Sequence, residues 1–73
     1  EEIQAIEFVI SPTASVVKRQ ITKLGLPRGA IVGAAVHNNT VVIPPDDYAV
    51  HPGDRVIIIS PLTLTPVVER LFM

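Results

Sequence analysis

The chain has 73 residues and a formal net charge of −1, and 48% of its residues are hydrophobic while 18% are charged. That length allows one domain, and the lack of a basic excess argues against a nucleic-acid-binding module. Without cysteine there are no disulfides or thiolate metal sites, and no apolar run approaches the roughly 18 residues of a membrane-inserted span. The high apolar fraction indicates an aliphatic sheet core, apolar surface meant for another subunit or domain, or both.

The first four residues, Glu1–Gln4, are polar and are interpreted as the remnant of a linker, with one domain over residues 5–73. The chain opens on glutamate rather than methionine and has no basic, apolar leader. These features predict an intracellular piece of a longer protein, whose missing part lies on the N-terminal side.

The next residues predict a strand followed by a short helix. From Ala5 to Ile10, apolar side chains alternate at a period of two, which is typical of a strand with one buried face. Over Pro12–Gly25 the apolar residues recur at helical spacing; they are Val16, Val17, Ile21 and Leu24. Gly25 suits the left-handed residue after the last helical turn, and Pro27 blocks continuation. Four basic residues here either solvate a helix face or contact a phosphate; they are Lys18, Arg19, Lys23 and Arg28.

The stretch Gly29–Pro61 predicts a three-stranded antiparallel meander. Its apolar, β-branched runs are Ala30–Val36, Thr40–Ile43 and Val56–Ile59. The pair Asn38-Asn39 suits a tight hairpin turn because asparagine tolerates positive φ. Pro52-Gly53-Asp54 is a second turn signal, in which glycine turns the chain and the aspartate is predicted to accept backbone hydrogen bonds. Since Val56–Ile59 is apolar on both faces, it is predicted to be the most buried strand of the sheet.

The C-terminal segment Leu62–Met73 predicts a second helix, with Thr63 or Thr65 as its cap and Pro66 in its first turn. The small residues Gly33-Ala34-Ala35 indicate close approach of a backbone, a helix or a ligand to their strand. The predicted fold class is therefore α+β: a small antiparallel β-sheet in the order strand, helix, three strands, helix, with the helices packed on one face.

No pattern in the chain predicts catalysis. The histidines, His37 and His51, fall at strand ends or in turns, and no recognised ligand spacing joins them to Asp46, Asp47 or Asp54. They are interpreted as structural or surface residues, so no metal site is predicted. The glycines form no phosphate-binding loop, and the serines lack a nucleophile context. The chain is predicted not to be an enzyme, and it holds no predicted catalytic residue.

Several stretches of the chain, taken together in this order, resemble a known family. They are the strand Ile6–Ile10, the helix end Lys23–Pro27, the run Ala30–Asn39, the pair Val42–Pro44 and His51–Ile58, and the ending Val67–Phe72. Together they resemble the C-terminal RCK module, also called TrkA-C, of the Trk potassium-uptake regulators. The resemblance covers nearly the whole chain, and the apolar strands around Gly53-Asp54 contribute most of it.

The resemblance implies a regulatory module. In the family, the module follows a nucleotide-binding Rossmann domain, so NAD(H) or ATP/ADP is expected on that upstream domain and no cofactor on this chain. Full-length members assemble as a ring beneath a potassium-translocating membrane subunit and control its opening. The implied partners are a second copy of the module and that subunit, and the implied location is the cytoplasm, peripheral to the inner face of the cell membrane.

Some members of the family bind small effectors, including cyclic di-AMP, in a groove between two paired modules. The matching positions in this chain are the candidate ligand-binding residues His37, Asn38, Asn39 and Pro44. An arginine often stands at the position of His37, and an imidazole holds a phosphate less firmly than a guanidinium does. Two functions follow: a dimeric module that couples the nucleotide-binding domain to channel gating, or a small-molecule sensor on another cation transporter or antiporter.

Overall fold

Four strands and one α-helix make up the computed structural model, which describes residues 2–73. In chain order they are β1 (Ile3–Val9), β2 (Ile31–His37), β3 (Thr40–Val42), β4 (Arg55–Pro61) and α1 (Thr65–Leu71), with short 3₁₀ turns at Ile21–Lys23 and Leu62–Leu64. This antiparallel sheet with a C-terminal helix confirms the predicted α+β class. None of the helices in residues 2–73 has the length and apolar character needed to cross a membrane.

The strand order corrects the predicted meander. The sheet runs β1-β4-β2-β3, so β4 does not pair with β3 but crosses back to lie between β1 and β2. Its neighbours are antiparallel on both sides, with Ile58 opposite Ile6 of β1 and Val32 of β2. The central position of β4 agrees with the prediction that it is the most buried strand, because both of its edges are paired with neighbouring strands.

Two local turns form as their sequences predict. Asn38 and Asn39 both have positive φ, 50° and 64°, the backbone of a two-residue type I′ hairpin between β2 and β3. Gly53 has a φ of 85° and the Asp54 amide bonds back to the carbonyl of His51 at 3.1 Å. That turn places proline and glycine at its two central positions, as a type II turn requires.

The predicted helix over Pro12–Gly25 does not form. The segment is a series of turns in which Lys18 has a positive φ of 70°, a conformation that interrupts a right-handed helix. The cause is a partner distant in sequence: the amides of Lys18 and Ile21 donate to the carbonyls of Val50 and Tyr48, in a strand-like pairing that no local period reveals. The four basic residues of the segment and its end (Lys18, Arg19, Lys23 and Arg28) are exposed.

The apolar side chains of that segment are nevertheless buried. Val16 and Leu24 are inaccessible to solvent, and they join a core built from β1, β4, the loops and α1. At one end of this core, the rings of Phe8 and Phe72 stack with centroids 4.6 Å apart. The core therefore covers one face of the sheet, which we call the inner face; its sheet residues include Ile6, Phe8, Val32, Ala35, Val56 and Ile58.

The opposite, outer sheet face is also apolar. Register places on it Ile3, Ala5, Glu7, Val9, Ile31, Ala34, Val36, Val41, Arg55, Ile57 and Ile59. Ile3, Val9, Ile31 and Val41 are each more than half exposed. Gly33 lies at an irregularity in β2, where a Cβ would come within 3.1 Å of Ile59 Cγ1. The predicted close approach at the small residues is thus made by an isoleucine of the neighbouring strand.

The two chain ends differ in detail from the prediction. Leu64, rather than Thr63 or Thr65, is the N-cap residue of α1, while Pro66 stands in its first turn as expected. The Thr65 hydroxyl accepts a hydrogen bond from the Gln4 amide, which ties the start of β1 to the start of α1. Glu1, the first residue of the predicted linker remnant, lies outside the described residues, and Ile3 and Gln4 belong to β1.

Candidate functional site

The candidate groove residues lie at the β2–β3 hairpin and just beyond it. His37 is the last residue of β2, and Asn38 and Asn39 form the turn. An open cleft of about 340 Å³ lies beside this hairpin, and its lining is Val36, Asn38, Asn39, Pro52, Gly53, Asp54 and Arg55. Pro44 and His37 are outside that lining. Two of the four candidate residues, Asn38 and Asn39, therefore line the cleft, and the binding role of all four stays a prediction.

The organising residue of this end of the molecule is Asp54. Its side chain is 2% exposed and accepts hydrogen bonds from two other side chains. His37 Nδ1 lies 2.6 Å from Asp54 Oδ1, and the Tyr48 hydroxyl donates to Oδ2 at 2.7 Å. The backbone amide of His51 also donates to Oδ2, at 3.0 Å. These contacts offset the cost of burying a carboxylate in a mostly apolar fold.

Both histidines of the chain surround this carboxylate. The His51 ring Nδ1 lies 3.6 Å from Asp54 Oδ2, and the rings of His37 and His51 lie 4.6 Å apart between centroids. The Tyr48 ring meets the His51 ring edge-on at 5.7 Å. We call these four residues, Tyr48, His37, His51 and Asp54, the Asp54 cluster.

Three chain segments assemble the Asp54 cluster. Val36 pairs with Arg55 across β2 and β4, so the next residue along β2, His37, lies beside Asp54. The turn before β4 contributes His51, whose amide it directs at the carboxylate. Tyr48 is held in place because its carbonyl accepts from the Ile21 amide at 2.9 Å and its amide donates to the Pro45 carbonyl at 2.9 Å.

The cluster shifts the ionisation of two of its members. Burial by itself raises the pKa of Asp54, but the hydrogen bonds from Tyr48, His37 and the His51 amide favour the charged form, and the net pKa is lowered. Burial raises the pKa of Tyr48 to about 12, with added contributions from its hydrogen bond to Asp54 and from the negative charge there. The cluster is therefore built around a stable buried carboxylate and a neutral phenol.

Sequence reasoning found part of this cluster. The role of Asp54 as an acceptor within its own turn is local, and the His51 amide confirms it. The contacts with His37 and Tyr48 were missed, because the predicted meander would have placed β3 between β2 and β4. The available signal was a tyrosine and a histidine, Tyr48 and His51, just before the Pro-Gly-Asp turn.

Comparisons with known proteins agree on one family. A family model described as the TrkA-C domain matches residues 5–72. The chain is 36% identical over 72 residues to a "Trk system potassium uptake protein TrkA homolog 2" of Methanosarcina mazei, covering 99% of the chain and 16% of that protein. It is 36% identical over 73 residues to the "Trk system potassium uptake protein TrkA" of Haemophilus influenzae, covering 94% of the chain and 16% of that protein.

A solved structure has the same fold. It is described as an RCK domain with cda, and it superposes with a TM-score of 0.72 over the whole of both chains at 16% identity. This level of identity supports a shared fold and nothing finer. The chain spans about a sixth of the length of the curated relatives it matches.

Proposed function

We propose, because the chain belongs to the TrkA-C domain family, that it is a non-catalytic regulatory module of a potassium transport system. The module pairs with a second copy of itself and couples an upstream nucleotide-binding domain to the gating of a membrane potassium-translocating subunit. It acts from the cytoplasmic side of that membrane. The match over residues 5–72 carries this proposal, and the names of the curated relatives support the potassium assignment.

The outer sheet face supports the pairing. Val9, Ile31 and Val41 are 63%, 61% and 69% exposed, and the half-buried Ile57 and Ile59 lie between them on β4. Monomeric proteins rarely expose large apolar patches, whereas homodimer interfaces are enriched in apolar surface. A second copy placed on this face by a two-fold axis would cover the same residues on both partners.

Solution mass tests the pairing. Ile31→Lys places a charge within the outer sheet face, where pairing would remove it from water at a cost. Val67→Lys is the matched control, because Val67 is an exposed aliphatic residue of α1 outside that face. Sedimentation of each protein over a dilution series is expected to give dimers for the parent and Val67→Lys, and monomers for Ile31→Lys. A parent protein that is monomeric throughout, or an Ile31→Lys dimer, contradicts the pairing.

Potassium uptake tests the regulatory role. The gene that encodes this chain is expressed, with a Trk-type membrane subunit, in cells that lack their own potassium uptake. We expect Ile31→Lys to reduce rubidium influx at unchanged protein level, and Val67→Lys to leave it unchanged. Influx that is indifferent to the presence of the gene refutes the regulatory proposal, while loss of the dimer with normal influx refutes its dependence on pairing.

A small-molecule sensor is the second candidate, and the open cleft beside the β2–β3 hairpin favours it. Its lining includes Asn38, Asn39 and Arg55, residue types whose side chains suit an anionic, polar ligand. Thermal unfolding with a panel of nucleotides, including cyclic di-AMP, tests this role, since a ligand of the folded state adds stability of RT ln(1 + [L]/Kd). Asn39→Gly keeps the positive φ but removes the amide, so a true cleft ligand loses its effect there. No response to any nucleotide leaves the first proposal alone.

A further inference from the structure

The Asp54 cluster brings three metal-ligand groups to one point. His37, His51 and Asp54 each offer one ligand atom, and these atoms all lie within 4.8 Å of one another. In a tetrahedral zinc site with bonds of about 2.0–2.2 Å, neighbouring ligand atoms are about 3.3 Å apart. In this structure His37 Nδ1 lies 2.6 Å from Asp54 Oδ1, and His51 Nδ1 lies 3.6 Å from the second carboxylate oxygen, Oδ2.

Hydrogen bonds already orient the Asp54 carboxylate as a metal ligand would need. Its Oδ2 atom accepts from the Tyr48 hydroxyl and from the His51 amide, both donors within hydrogen-bonding distance. Its Oδ1 atom faces His37 Nδ1. One oxygen is thus fixed by outer partners while the other is directed toward an imidazole nitrogen, which is how outer contacts orient ligands in protein metal sites.

The imidazoles are accessible and can take the tautomer that binding needs. The side chains of His37 and His51 are 36% and 50% exposed, so an ion reaches them from solvent. His37 Nε2 lies 3.4 Å from the Asn38 side-chain amide. When a metal takes Nδ1, the ring hydrogen stands on Nε2, and the oxygen of the same amide, after a flip of its two ends, accepts it.

We propose that His37, His51 and Asp54 form a three-ligand site for a divalent transition metal, with Zn²⁺ as the preferred ion and water as the fourth ligand. Two nitrogens and one carboxylate oxygen suit zinc and its neighbours, whereas Mg²⁺ and Ca²⁺ prefer shells of oxygen atoms. The bound ion joins the end of β2 to the turn before β4 and takes the place of the proton between His37 and Asp54. This proposal does not depend on the potassium role, because binding is measured on the protein itself.

Zinc titration of the purified, chelator-treated protein tests the site. Calorimetry is expected to show one equivalent of Zn²⁺ bound, with a rise in the unfolding temperature that Mg²⁺ and Ca²⁺ at the same concentration do not produce. His37→Gln and His51→Gln each remove one partly exposed ligand, and each is expected to weaken Zn²⁺ binding at least about tenfold. Asp47→Asn is the control for loss of a nearby exposed carboxylate, and it is expected to bind as the parent does.

A measurement without substitutions keeps the test decisive if a variant fails to fold. Co²⁺ bound in a four-coordinate site of the parent protein gives strong visible absorption, and one equivalent of Zn²⁺ is expected to abolish it. Nitrogen-15 shifts of the two imidazoles are expected to change at Nδ1 in the zinc-bound protein. The proposal is overturned by the absence of stoichiometric Zn²⁺ binding, by unchanged affinity in both histidine variants, or by imidazole shifts that do not respond to the metal.

Discussion

The two faces of the sheet are both rich in aliphatic residues but lie in opposite environments. On the inner face, Val56 and Ile58 are inaccessible to solvent beneath α1 and the loops, while on the outer face Ile31 and Val41 remain more than half exposed. The outer face also carries Glu7 and Arg55, but most of its residues are as aliphatic as those of the inner face. Only the inner face has a partner within residues 2–73, which teaches that hydrophobicity indicates where apolar contact is needed but not whether the same chain supplies it.

The largest difference between the faces is expected from truncating one isoleucine on each. Ile58→Ala removes a fully buried side chain and is expected to lower the free energy of unfolding by about 2–5 kcal/mol. Ile31→Ala, on the outer face, is expected to change it by less than about 0.5 kcal/mol. Urea unfolding at a concentration where both variants sediment as monomers measures the pair. Equal losses would mean that the outer face is buried in the isolated chain.

The next largest effect is expected from removing the negative charge of the Asp54 cluster. Asp54→Asn removes the negative charge that accepts three hydrogen bonds, and it turns an amide NH2 toward one of the donors. We therefore expect the free energy of unfolding to fall by about 1.5–3 kcal/mol. Asp47→Asn, an exposed neighbour in sequence, is expected to change stability by no more than about 0.5 kcal/mol. Both are measured by urea unfolding with chelator present. A neutral Asp54→Asn would show that the network does not stabilise the fold.

Acid is expected to remove the same contribution gradually. The pKa of Asp54 is lowered in the folded protein, so its stabilising effect is fully present above the unfolded value of about 3.9 and is lost as the pH falls through the folded value. The stability gap between the parent and Asp54→Asn, measured with chelator, should therefore shrink as the pH falls below about 4. A gap that does not shrink below about pH 4 contradicts the direction of the shift.

The smallest effect is expected at the irregularity in β2. The Cβ of Gly33→Ala would meet the Ile59 side chain at 3.1 Å, but Ile59 lies half-buried on the outer sheet face and can rotate away. We expect a loss of no more than about 1 kcal/mol, because alanine regains some of the conformational entropy that glycine loses on folding. The urea midpoint measures it. A loss above about 3 kcal/mol would show that the outer face is as rigidly packed as the inner one.

Local features of the fold were predictable, and features set by distant partners were not. The positive φ of Asn38 and Asn39 and the turn at Gly53 follow from residue chemistry alone. The helix expected over Pro12–Gly25 failed because the amides of Lys18 and Ile21 have partners near Val50. Its apolar residues still contribute to the core, since turns bury Val16 and Leu24 as a helix would have done.

In the Asp54 cluster, too, the local contact was predictable and the distant one was not. The hydrogen bond that Asp54 accepts within its own turn was predictable, because it depends on four consecutive residues only. The contact between His37 and Asp54 required knowing that β2 and β4 are neighbours, with Val36 opposite Arg55. No period or motif specifies which strands pair, because every strand in this chain is aliphatic and each could have lain beside any other.

The position of β1 has a consequence for how the chain reaches this structure. Ile3 at the start of β1 pairs with Pro61 at the end of β4, so one edge of the sheet closes only after almost the whole chain is available. Pairings of such long sequence separation slow folding, because the entropy of closing the intervening loop is lost before the contacts form. During synthesis the β2–β3 hairpin can form early, while the apolar β1 waits for β4 to emerge, and this interval is when the strand is most exposed to aggregation.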